Sequence, residues 1–164
     1  MQGLEGVYSM VIFGMIACSI LLALLLKWAN RFIKLEFMAI WLFTSLLANY
    51  YIGSVSDVQG LIRKNEDGLY LAFLTGQLIL LPLSVLFFLN LFHRLTGWAA
   101  KVALFLLWVV LMASGERMLE QLGIFRYVNY PLWLSVSFWL SLLMLALGAN
   151  QLLHHLLSRR DPYV

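Results

Sequence analysis

Glu116 and Glu120 are the residues whose type and spacing could do chemistry most directly. Four positions apart, they share one face if the helix that holds them continues to Gly123, a glycine placed as a C-cap. Two carboxylates on one face can share a proton, hold a cation, or divide the roles of general acid and base. The plainer reading is an interfacial last turn in which both acids are solvated and pair with Arg117 or Arg126.

Asn49 and Gln77 form a second candidate pair because each interrupts an apolar run. Polar side chains inside a hydrocarbon layer are costly, so they mark contacts or sites. At a rise of 1.5 Å per residue, Asn49 lies about 18 Å from the inner end of its span and Gln77 about 12 Å from the outer end of its own. The two therefore fall near one level, slightly outside the midplane. An interhelical hydrogen bond on the order of 1 kcal/mol is the first expectation, and a substrate contact the second. Tyr50, Tyr51, Arg126, Tyr127 and Asn129 follow toward the same boundary. The candidate binding cluster is Asn49, Gln77, Glu116, Glu120, Arg126 and Tyr127. Apart from the histidines, everything that could build a polar site is expected in this extracytoplasmic half.

The histidines raise the question of haem or metal. His93 closes one apolar run, and His154 and His155 close another on the same side. Adjacent helical residues point about 100° apart, so His154 and His155 do not face one partner together. No Cys, Asp or Glu cluster is evident beside them, and an interfacial placement near lipid headgroups is preferred. No cofactor and no metal site are expected. A glycine-rich phosphate loop, a nucleophile elbow and a His-Glu-x-x-His helix are also missing from the sequence.

The elements that must position these residues are set by composition. Of 164 residues, 63% are hydrophobic and 12% charged, about half the charge of an ordinary soluble domain. Five apolar stretches, about 7–28, 37–55, 69–92, 98–115 and 130–153, are each read as a membrane crossing. The fourth is the shortest. Continuous apolar runs without period-2 alternation exclude a membrane barrel. The expected fold is all-α, a single polytopic transmembrane helical bundle of five spans over residues 1–164.

Charge sets an expected orientation, since Lys and Arg are held on the cytoplasmic side. Lys27, Arg31, Lys34, Arg94, Lys101, Arg159 and Arg160 fall on one side with Glu36 and Asp161, a net charge of +5. Arg63, Lys64, Arg117 and Arg126 fall on the other with Glu5, Asp57, Glu66, Asp67, Glu116 and Glu120, a net charge of −2. The N-terminus is expected outside and the C-terminus in the cytoplasm. The first ten residues lack the basic region of a signal peptide, so span one is expected to be retained.

Aromatic residues gather near the expected interfaces, at Trp28, Tyr50, Tyr51, Trp98, Tyr127, Tyr130 and Trp133. Pro82 sits inside the third span, where it removes an amide donor, frees the carbonyl of Leu78 and is expected to kink the helix. Cys18, the single cysteine, lies mid-span and reads as a small packing residue. The basic residues are scattered singly at helix ends, where they meet anionic headgroups and do not form a nucleic-acid surface.

The stretch Glu116-Arg117-Met118-Leu119-Glu120, with Gly123-Ile124-Phe125-Arg126-Tyr127 and Trp133, resembles a family of small, functionally uncharacterised multi-pass membrane proteins of spore-forming Bacillota. Trp41-Leu42-Phe43-Thr44, leading to Gly60-Leu61-Ile62, is similar as well. The resemblance implies a four- or five-helix bacterial plasma-membrane protein and supplies no activity. Members often carry an acidic residue in the outer part of span two, where this chain has Ile52. That departure argues against a carboxylate pair shared between spans two and four.

The expected function is that of a small integral membrane protein, a non-enzymatic accessory or scaffold subunit. Its expected partners are the lipid bilayer and another membrane protein or a second copy. The alternatives are a small oligomeric transporter or channel with an outer polar vestibule, and a lipid-modifying enzyme using the paired carboxylates.

Overall fold

The computed structural model describes residues 2–29, 34–54, 62–64, 74–122, 125–128 and 130–158. Among these residues five α-helices carry the fold: α1 Gln2–Ala29, α2 Lys34–Gly53, α3 Leu81–Arg94, α4 Trp98–Gln121 and α5 Leu132–Ser158. A π-helical turn, Gly76–Leu80, leads directly into α3. Two short strands, β1 Ile62–Lys64 and β2 Phe125–Tyr127, pair antiparallel.

Four helical segments, Leu35–Gly53, Gly76–Arg94, Trp98–Gln121 and Leu132–Leu157, are long and apolar enough to cross a membrane, and α1 adds a shorter apolar stretch, Ile12–Leu26. The helical bundle expected from the apolar runs is present. The fourth apolar run, 98–115, belongs to a longer helix: α4 has 24 residues and continues past Glu116 and Glu120, as their shared face requires. Gly123, the expected C-cap, and residues 69–73 of the third span lie outside the described residues.

The helix α3 is the centre of the bundle, in contact with α1, α2, α4 and α5. Half of the segment Gly76–Arg94 is buried, against 11% of Trp98–Gln121. Val85, Leu86, Phe88 and Leu89 are fully enclosed. Phe88 meets Trp108 and Phe105 of α4 at centroid distances of 5.8 and 6.0 Å, the second edge-on, and this aromatic packing seats α4. On the opposite side α4 exposes Leu106, Leu107, Val110 and Leu111. A helix with that much exposed aliphatic surface fits a hydrocarbon solvent and not water.

Pro82 acts through the turn before it. The N–H of Leu81 donates to the carbonyl of Gly76, five residues back, so the helix is widened immediately ahead of the proline ring. Gly76 opens this turn at a close approach to α1, where a Cβ would stand 2.6 Å from Met15 Cε. Leaving out the side chain lets α1 lie against the widened turn.

The ribbon sets Ile62 opposite Tyr127, Arg63 opposite Arg126 and Lys64 opposite Phe125. It joins the α2–α3 connection to the α4–α5 connection, so both lie at one end of the bundle. The sequence reading contained no strand, because three residues per strand are too few to show alternation.

Candidate functional site

Asn49 and Gln77 do meet. Gln77 Nε2 donates to Asn49 Oδ1 at 2.8 Å, and Asn49 Nδ2 donates to the carbonyl of Ser45 at 2.9 Å. Gln77 lies in the π turn and is buried. The bond ties α2 to the entrance of α3, as the matching depths of the two residues require.

Glu116 and Glu120 separate. Glu116 Oε2 accepts a hydrogen bond from Trp139 Nε1 at 2.8 Å and another from Ser135 Oγ. Both donors are on α5, four residues apart and so on one face. Glu120 Oε2 instead accepts from Arg117 Nη1 at 2.8 Å, within its own helix. The rim pairing expected for the acids is seen at Glu120, while Glu116 faces α5. Arg126 is exposed on the ribbon, and Tyr127 occupies the ribbon position opposite Ile62. Asn129 lies outside the described residues.

A tyrosine pair adjoins Glu116. The hydroxyls of Tyr51 and Tyr130 are 2.5 Å apart, and Tyr51 donates to the carbonyl of Leu134 at 3.4 Å. With its proton given to that carbonyl, Tyr51 accepts from Tyr130. The Tyr51 ring stacks on Phe138 at a centroid distance of 3.7 Å. Burial, the bond to Tyr51 and the nearby Glu116 charge hold the Tyr130 phenol well above its ordinary range, so it serves as a donor. Glu116, Tyr51 and Tyr130 thus form one polar group joining α2, α4 and α5. Ser135 and Trp139 were not among the sequence candidates; their i, i+4 spacing is a signal, but nothing in it says which helix they face.

The other end of the bundle corrects the expectation that polar groups other than histidines gather in one half. Glu36, buried in the first turn of α2, stands with Oε1 3.3 Å from His154 Nδ1. Asn150 Nδ2 stands 2.5 Å from His93 Nε2, and Asn90 is buried one turn deeper on α3. A single carboxylate, Glu36, reaches one of the histidines, His154, because α2 and α5 meet there. Among the described residues no group of three or more His, Cys, Asp or Glu is placed to hold a metal ion.

Comparison with family profiles, curated proteins and solved structures gives no match for this chain. The class is defined by the fold itself: four long apolar helices make this a multi-pass helical membrane protein.

Proposed function

We propose that this protein is a non-enzymatic accessory or scaffold subunit of a bacterial plasma membrane, with its N-terminus outside and its C-terminus in the cytoplasm. The orientation rests on the +5 and −2 division of charge, and the bacterial setting on the resemblance of Glu116 to Trp133 and of Trp41 to Ile62 to small Bacillota membrane proteins. The observation that carries the functional reading is the separation of the two carboxylates. Glu116 fastens α4 to α5 through Trp139 and Ser135, while Glu120 pairs with Arg117. A carboxylate held by two donors from the neighbouring helix is suited to fixing helix geometry. Acid–base work by two carboxylates needs both on one substrate, so this separation weighs against the lipid-modifying reading.

A transporter or channel is the second reading, and one observation favours it. Tyr51, Tyr130 and Glu116 form a connected polar group at the end of the bundle that also holds the Asn49–Gln77 bond. Such groups mark proton and ion paths in other membrane proteins. Reconstitution into proteoliposomes under an imposed potential, with a pH-sensitive dye inside, separates the two. The subunit reading expects no proton flux above empty vesicles for wild type or Glu116→Gln. A wild-type flux abolished by Glu116→Gln in a normally folded protein contradicts it.

A further inference from the structure

At the end of the bundle away from Glu116, one face of α5 is fastened to two different helices, each time through an imidazole. Asn150 and His154 are four residues apart on α5 and share that face. Asn150 Nδ2 is 2.5 Å from His93 Nε2 on α3, and His154 Nδ1 is 3.3 Å from Glu36 Oε1 on α2.

The two fastenings require opposite protonation states. An amide Nδ2 only donates, so the His93 nitrogen facing it must accept. That fixes His93 as a neutral imidazole with its proton on Nδ1. A second proton, placed on Nε2, sets donor against donor and breaks the contact. His154 faces a carboxylate, and protonation turns that contact into a charge-assisted bond. Glu36 is 5% exposed in its side chain, which limits screening, whereas the His154 side chain is 76% exposed and open to proton exchange.

Charged and titratable groups described around this end belong to α2, α3, α4 and α5. Glu36 belongs to α2, and Arg94 follows His93 on α3. Lys101 of α4 lies within electrostatic reach of His93, as do Glu36 and His154, and His155 follows His154 on α5.

We propose that this end of the bundle is a proton-operated changeover: a neutral His93 holds α5 to α3 through Asn150, and protonation transfers the hold to α2 through His154 and Glu36. Histidine is the side chain suited to such exchange, so acidification is the trigger. The proposal does not depend on the subunit reading above.

Double-substitution cycles on the detergent-solubilised full chain test it, with thermal midpoints read at pH 7.5 and 5.5. One cycle uses Glu36→Gln and His154→Gln, the other His93→Phe and Asn150→Leu. On acidification the Glu36–His154 coupling should grow by about 2–4 °C and the His93–Asn150 coupling should shrink by a similar amount. Couplings that move in the same direction, or do not move, overturn the proposal. If a variant fails to fold, wild-type protein labelled with 15N-histidine supplies the reading. At least one imidazole should carry its proton on Nδ1 alone at pH 7.5 and gain a second nitrogen-bound proton at pH 5.5. Three imidazoles all protonated on Nε2 at pH 7.5 overturn it.

Discussion

Trp139 donates its indole N–H to Glu116 across the α4–α5 interface at 2.8 Å. The bond converts an intramembrane carboxylate, costly on its own, into a fastening between the last turns of α4 and the first turns of α5. Trp139→Phe keeps most of the aromatic surface and removes the donor. It should cost about 1 kcal/mol, the size of interhelical hydrogen bonds in membranes. Thermal unfolding of the solubilised protein measures this, and the loss should vanish when Trp139→Phe is made in a Glu116→Leu background, which has no acceptor.

The Asn49–Gln77 bond should behave as a packing contact. Gln77→Leu and Asn49→Leu should each lower stability by about 0.5–1.5 kcal/mol, and the double substitution should cost less than their sum. Strict additivity in the cycle contradicts a direct contact.

Tyr130 supplies a pH prediction. Its phenol is raised by burial first and then by its bond to Tyr51, so the folded state favours the protonated form. The stabilisation is fully present below about pH 10, the ordinary phenol value, and is lost as pH rises through the folded-state value. Absorbance of tyrosinate near 295 nm, followed through an alkaline titration, should show a late component that includes Tyr130. Tyr130→Phe should reduce that component.

Gly76 makes a steric prediction. A Cβ there meets Met15 Cε at 2.6 Å, and that atom is the free end of a flexible side chain. Gly76→Ala should therefore cost less than about 1 kcal/mol, while Gly76→Leu should displace α1 at a cost of about 1–3 kcal/mol. Combining Gly76→Leu with Met15→Ala should restore part of the loss in a thermal-unfolding assay.

Much of the bundle is legible in the apolar runs, and the Asn49–Gln77 contact follows from depth alone, since helical rise converts position into height. What hydropathy leaves out is which helix packs beside which. Lipid-facing and protein-facing surfaces are equally apolar, as Leu106 and Leu107 beside Trp108 and Val109 show. For that reason Ser135 and Trp139 looked like ordinary residues of an apolar span, and Glu36 and His154, 118 positions apart, gave no sign of meeting. The i, i+4 spacing of Glu116 and Glu120 correctly put them on one helix, yet did not reveal that one faces α5 and the other bonds back to Arg117.

The central claim is that Glu116 is a fastening between helices and Glu120 a rim residue, and a matched pair of isosteric substitutions tests it most directly. In thermal unfolding of the solubilised full chain, Glu116→Gln should lower the midpoint by about 2–8 °C, because two donors then face one weaker acceptor. Glu120→Gln, which weakens a partly exposed pair with Arg117, should change it by less than about 2 °C. Equal effects of the two substitutions, or a midpoint unmoved by Glu116→Gln, would contradict the account.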